Sequence, residues 1–367
     1  MKICFFLGGF FQNGGIGRVV SILTNCFVND PETDITALCY FNPHKELFYK
    51  ITPDVHLVYF LNTYQSMGSL MLSGGWRKLK NYLKENDIDV LIACGALFFP
   101  ISTLACKGIK TKCICWEHSD PEGNNDHMGQ SLARKYGIKR SDLNVVLTKR
   151  SMRIYKEKYK AMNTVQIYNP VDPKIVENAK GYNADNHKII SVGRLTYQKN
   201  FETAVEVASR VLPQHPDWEW DVFGQGEDMD RLVELTIEKG IEKQMHFRGQ
   251  VSNLYEKYSD YSLMVMTSRY EGFPMTLLEG MGNGLPLVSF DIPTGPDEII
   301  NDGENGFLIK AFDLEAMENK MNLIIDNRDL RERFARESLK RTTVFSAEKI
   351  LQAWKEKLTK ITKQEIV

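Results

Sequence analysis

Short apolar runs that end in glycine, proline or other turn formers, each followed by a stretch of helical spacing, recur along the whole chain, and few folds accommodate that punctuation. In the first half the runs occupy 2–7, 35–41, 55–60, 89–94, 112–117, 143–148 and 165–168, with helical patterns near 16–28, 69–85, 126–136 and 149–159. The same grammar restarts at 188–193, 219–224, 245–248, 263–267, 286–290 and 307–309. Strands that alternate with helices pair in parallel, because only a crossover brings the chain back to the same end of the sheet. The expected fold class is α/β, with two doubly wound, Rossmann-like parallel sheets.

A chain of 367 residues exceeds one ordinary core and suits two domains. The boundary is expected at Tyr168-Asn169-Pro170-Val171-Asp172, where the proline forces an extended residue before it. This gives domains 1–170 and 171–345. A tail at 346–367 carries Ile350, Leu351, Trp354, Leu358 and Ile361 at helical spacing.

Met1 to Phe11 resembles a signal peptide, but Gly8 and Gly9 interrupt it and no small-residue cleavage site follows. No stretch reaches 18 apolar residues, so any membrane contact is expected to be peripheral. All seven cysteines fall in the first 115 residues, without a C-x-x-C pair, as buried reduced thiols of a cytoplasmic protein would. The net charge of −1 conceals an asymmetry: residues 1–170 carry 21 Lys and Arg against 14 Asp and Glu. A basic first half suits an anionic lipid surface or a pyrophosphate-linked acceptor, though ordinary wet helix faces account for the same residues. Nothing points to a nucleic acid.

The chemistry concentrates in two stretches. Ser268 to Gly284, SRYEGFPMTLLEGMGNG, follows an apolar strand and opens a helix, with Pro274 expected at the first helical position and free amides at Met275, Thr276 and Leu277. Such a terminus favours an anion, while Glu271 and Glu279 suit neutral hydroxyls, so a sugar bearing a phosphate is implied. Two carboxylates near a helix start are also what the dipole favours on a solvated surface. Some 75 residues earlier, Gly193-Arg194-Leu195-Thr196-Tyr197-Gln198-Lys199-Asn200 ends another strand. Arg194 offers a planar fork of donors and Lys199 a point charge, in outline a diphosphate clamp.

With FGQGE (Phe223 to Glu227), F-x-G (Phe247 to Gly249), GLPLVSFD, GPDEII and NGFL following in order, the chain resembles the retaining glycosyltransferases of family 4. The likeness is dense from Lys188 to about Asp326. It implies the GT-B architecture, two Rossmann-like domains facing across a cleft, with an acceptor-binding first domain, a nucleotide-sugar-binding second domain, and a last helix crossing back onto the first. It also implies that Glu279 holds the ribose hydroxyls, and that Glu271 and the backbone from Gly272 and Phe273 to Met275 hold the sugar.

His118, after the strand holding Cys113 and Cys115, matches a family histidine that contacts the donor sugar; alone, it reads as structural. The turn with Gly15 and Gly17 is no dinucleotide fingerprint, since Val20 stands where a third glycine should, but it matches the family's first loop over the diphosphate. The two D-x-D sequences, Asp87–Asp89 and Asp228–Asp230, read as structural, and no metal or other cofactor is expected.

The function so implied is transfer of a hexosyl or N-acetylhexosaminyl unit, from a UDP-linked donor, to a glycan or lipid-linked acceptor in bacterial O-antigen, lipopolysaccharide or capsule synthesis. It would take place in the cytoplasm or on the inner face of the membrane. The alternative is an inactive nucleotide-sugar-binding subunit that supports a partner enzyme.

Overall fold

The structure, a computed structural model, describes residues 1–11, 14–42, 47–123, 128–178, 181–251 and 254–363. The chain divides into two compact units, Met1–Pro170 with Ala347–Val367, and Val171–Ser346. The first holds β1 (Lys2–Leu7), β2 (Asp34–Phe41), β3 (His56–Leu61), β4 (Val90–Cys94), β5 (Lys112–Trp116), β6 (Leu143–Val146) and β7 (Thr164–Gln166). They form one sheet in the order β3-β2-β1-β4-β5-β6-β7, parallel throughout.

The second unit holds β8 (Lys188–Val192), β9 (Glu219–Phe223), β10 (Met245–Gly249), β11 (Leu263–Met266), β12 (Leu287–Asp291) and β13 (Gly306–Lys310). Their order is β10-β9-β8-β11-β12-β13, again parallel. Every strand end falls within two residues of its expected place. Runs such as KIISV and LMVM read clearly because a parallel sheet covered on both faces needs apolar residues on both.

The helices depart from expectation in two places. The pattern at 69–85 is two helices, Met67–Leu72 and Gly75–Glu85, because Gly74 turns left-handed at φ 81°. Helix Phe99–Cys106 has no counterpart in the periodicity, since six of its eight residues are buried and no polar face marks it. The helix expected at 126–136 runs over Met128–Ile138; residues 126 and 127, like 364–367 of the tail, lie outside the described residues.

Helix Ala347–Lys363 belongs to the first unit. Its Trp354 is fully buried, edge-on to Trp116 at 5.1 Å between ring centres, and Lys355 Nζ lies 2.7 Å from Asp30.

In the second unit the core packs Trp220, Val222, Ile189 and Val265 of the sheet against Val205, Ala208 and Met321 of its covering helices. A large apolar side chain buried this completely contributes about 1.5–3 kcal/mol. At the sheet's centre Ser191 Oγ donates to the Val265 carbonyl at 2.6 Å and accepts from Trp220 Nε1 at 3.0 Å. These bonds tie β8, β9 and β11 together just below the loops that leave them.

The loops after β8 and β9 stack backbone on backbone: Gly193 N donates to Phe223 O at 3.0 Å, Leu195 N to Gln225 O at 2.9 Å and Asp228 N to Leu195 O at 3.1 Å. FGQGE needs its glycines for this, since a β-carbon at Gly224 would sit 1.8 Å from the Gly193 oxygen, and one at Gly226 2.1 Å from the Leu195 oxygen. Gly224 also has φ 145°. Gly224→Ala should therefore lower the stability of the second unit by about 3 kcal/mol, read from urea unfolding; a loss below about 1 kcal/mol would contradict this packing.

Candidate active site

β8 and β11 are neighbours at the point where the strand order of the second sheet reverses, and ligands of open α/β sheets bind beyond the carboxyl ends at such a point. The two motif stretches are the loops that leave these strands. Residue by residue, they are fastened to each other. Arg269 N donates to Gln198 O at 2.8 Å, Gln198 Nε2 to Tyr270 O at 3.1 Å and Asn200 Nδ2 to Thr267 O at 3.1 Å. Lys199 Nζ and Glu271 Oε1 are 2.6 Å apart, both side chains largely buried.

The pairing changes the electrostatics expected of the clamp. Lys199 spends part of its charge on Glu271 and lies along Gly193, where a β-carbon would meet its methylenes at 3.1–3.2 Å. The Arg194 side chain is exposed and its guanidinium has no partner among the described residues. It is the uncommitted cation of the pair.

Pro274 is the residue before the helix, not its first: its ψ is 102° and helix Met275–Gly282 starts after it. Its carbonyl accepts from Leu277 N at 3.1 Å. Leu277 is also fully buried, so the free first-turn amides narrow to Met275 and Thr276. The Thr276 hydroxyl, shielded from solvent, has no partner among the described residues. Phe273 is buried against Phe345, which leaves only its backbone and that of Gly272 to meet a ligand. Glu279 Oε2 accepts from the phenol of the fully buried Tyr258 at 2.8 Å, and Thr294 Oγ1 donates to the Glu271 carbonyl. Neither tether was visible in the sequence.

In the first unit, Gly15 begins helix Gly15–Phe27 and faces open space, whereas Gly17 lies against Tyr49, whose ring would be 3.2 Å from a β-carbon there. His118 packs on Trp116 at 4.2 Å between ring centres. Burial pushes its imidazole down to about 3, so it is neutral at physiological pH, and its buried Nε2 has no partner among the described residues.

Glu117, one residue earlier, organises this loop. One oxygen accepts from the Ser119 hydroxyl at 2.8 Å and from the amides of His118 and Ser119 at 3.2 Å each. The other accepts from Tyr155 at 2.9 Å and from Arg134. Burial alone would raise the carboxyl of Glu117, but the Arg134 charge and these bonds outweigh it and hold the group below its ordinary value.

One trio among the described residues has metal-ligand spacing, Glu219, Asp221 and His246, with donor atoms within 4.8 Å of one another. It lies on β9 and β10 and fits a metal poorly, because Arg248 takes one Asp221 oxygen at 2.7 Å and Tyr261 the other at 2.6 Å. Three of the four D-x-D residues have partners: Asp87 pairs with Lys110 at 3.1 Å, Asp89 accepts from Lys2 N at 2.8 Å, and Asp228 lies 3.7 Å from Arg231.

Two family models match in tandem, Glycosyltransferase Family 4 over residues 13–175 and Glycosyl transferases group 1 over residues 174–341. The chain belongs to these glycosyltransferases, and its two Rossmann-like units make up the GT-B fold. Over 359 residues it is 27% identical to the amylovoran biosynthesis glycosyltransferase AmsD of Erwinia amylovora, covering 96% of this chain and 98% of that one.

The fold matches a Staphylococcus aureus TarM variant in complex with Fondaparinux, alpha-GlcNAc-glycerol and UDP, with TM-score 0.81 and 16% identity over 99% of each chain. It also matches Anabaena HepE in complex with UDP and glucose, with TM-score 0.76 and 16% identity over 98% of this chain and 100% of that one. Relatives of the chain include glycosyltransferases of bacterial cell-surface polysaccharide synthesis. No helix among the described residues is long and apolar enough to cross a membrane.

The ion pair beneath His118 is fully buried, at 0% and 1% side-chain exposure for Arg134 and Glu117. Arg134→Met would strand the carboxylate and is expected to cost about 3–5 kcal/mol in denaturant unfolding. A loss under about 1 kcal/mol would show that the pair does not hold this loop.

Proposed function

We propose that the protein is a retaining glycosyltransferase that moves a hexosyl or N-acetylhexosaminyl unit from a UDP-linked donor to a hydroxyl of a glycan or lipid-linked acceptor. The observation that carries this reading is the set of uncommitted donors gathered at one switch point. These are the Arg194 guanidinium, the amides of Met275 and Thr276, and the Thr276 hydroxyl. The UDP bound by TarM and HepE is in keeping with it.

As the bond from the anomeric carbon to the diphosphate breaks, negative charge grows on the leaving oxygens. Arg194, Lys199 and the helix amides are in place to take it, and a donor so preorganised is worth roughly 3 kcal/mol in the transition state. The electron pair stays with the diphosphate, the acceptor oxygen bonds to the anomeric carbon, and the acceptor proton passes to a leaving phosphate oxygen on the same face. Glu271 holds sugar hydroxyls with Lys199 fixing its carboxylate, and Glu279, tethered by Tyr258, takes the ribose. The reaction we propose uses no metal ion, its electrostatic role falling to Arg194 and Lys199. A peripheral contact with an anionic membrane would bring a lipid-linked acceptor to the enzyme.

UDP-glucose and UDP-N-acetylglucosamine, offered with a panel of octyl glycosides, should give UDP release that depends on the acceptor and an α-linked product by proton NMR. Glu271→Gln should lower kcat about 100-fold while UDP affinity changes less than about threefold. A β-linked product would overturn the retaining mechanism. Loss of turnover and UDP affinity in equal proportion would overturn the role of Glu271.

A further inference from the structure

We propose that the first unit carries a second ligand site, for a phosphate monoester, in the cavity at the amino end of β5 and β6. The cavity measures about 420 Å3 and is lined by Lys107, Lys112, Arg140, Tyr136, Asp142 and Cys106, among others. That size lies within the roughly 300–1,000 Å3 typical of small-molecule pockets. Lys112 is the first residue of β5 and Asp142 stands just before β6, whereas His118 follows the other end of β5. Five residues of strand, about 16 Å, separate the two ends, so this cavity lies apart from His118 within the first unit.

The lining charge selects the ligand. Lys107, Lys112 and Arg140 face one carboxylate, Asp142, which is already engaged. One of its oxygens accepts from the Cys113 amide at 2.7 Å and the other lies 3.9 Å from Lys112 Nζ. Cys106, hydrogen-bonded to Cys113 and buried, has its thiol pushed well up and adds no negative charge. Lys80 reaches the same rim, where its Nζ donates to the Lys107 carbonyl at 2.5 Å.

Three cations against one carboxylate leave two positive charges, which match a phosphate dianion and exceed what a single carboxylate ligand would neutralise. Arg140 is held for this task. Its guanidinium lies 3.9 Å from the centre of the Tyr136 ring and Nη1 donates to the Tyr136 carbonyl at 2.9 Å, so little freedom remains to be lost when its fork meets a phosphate. Tyr136 and Leu104 supply apolar surface for the organic part of the ester. The monoester could come from a soluble metabolite or from the headgroup of phosphatidic acid.

The test uses the full chain, with UDP present at a concentration that fills any donor site. Glycerol 3-phosphate is titrated calorimetrically against wild type and Lys107→Gln/Arg140→Gln, both exposed positions. Vesicles of phosphatidylcholine with and without phosphatidic acid are co-sedimented with the same two proteins. Saturable binding of glycerol 3-phosphate, weakened at least roughly tenfold in the double variant while UDP affinity is unchanged, is the expected result. If sedimentation with phosphatidic acid vesicles falls in parallel, the ester belongs to a lipid; if only the soluble ester responds, it belongs to a metabolite. Absence of saturable binding to both probes, equal binding by both proteins, or a parallel loss of UDP affinity would overturn the proposal.

Discussion

The structure of the second unit turns on the junction between β8 and β11. These strands share only two paired positions, Ile189 with Leu263 and Ile190 with Met264, before they separate. Beyond that point one backbone bond, from Arg269 N to Gln198 O, is joined by side-chain links. Ser191 bridges to Val265, and the Lys199–Glu271 ion pair, shielded from water, closes the two loops above it. A close pair in such surroundings interacts far more strongly than one in bulk water. By fixing both loops it sets the spacing between Arg194 and the amides of Met275 and Thr276, on which any grip on a diphosphate depends.

The same pair explains a division of labour between two residues that look equivalent in sequence. Arg194 and Lys199 stand five residues apart and both suit phosphate. Yet Lys199 is committed to Glu271, and the Arg194 guanidinium is exposed without a partner among the described residues. Glu271 and Glu279 differ in a similar way, one held by a cation and the other by the neutral phenol of Tyr258. Each of the four side chains thus brings a distinct charge environment to a ligand, although all four lie on loops or helices of the same sheet end.

Much of this is legible in the sequence. Strand ends were readable because apolar runs in a parallel sheet stop at turn formers. GRL…QKN and EGFPMTLLE stood out through an order of motifs that chance seldom gives. What stayed hidden were pairings between distant residues. Arg134 sits beside Lys135 with no local mark of burial, and only the fold turns it inward onto Glu117. Tyr258 and Thr294 carry no local mark of their tethers. Helix Phe99–Cys106 leaves no periodic signal for a related reason: burial on nearly every side removes the polar stripe that periodicity needs.

Nucleotide binding at the β8/β11 junction is the claim on which the rest stands. Thermal unfolding of the protein in the presence of UDP, GDP, ADP and CDP, with Arg194→Ala and Glu279→Ala in parallel, tests it most directly. A ligand at 100 times its Kd stabilises by about 2.7 kcal/mol. The expected result is a rise of several degrees with UDP, lost or sharply reduced in both variants. A midpoint unmoved by all four nucleotides, or a shift that survives both substitutions, would contradict a diphosphate site at this junction.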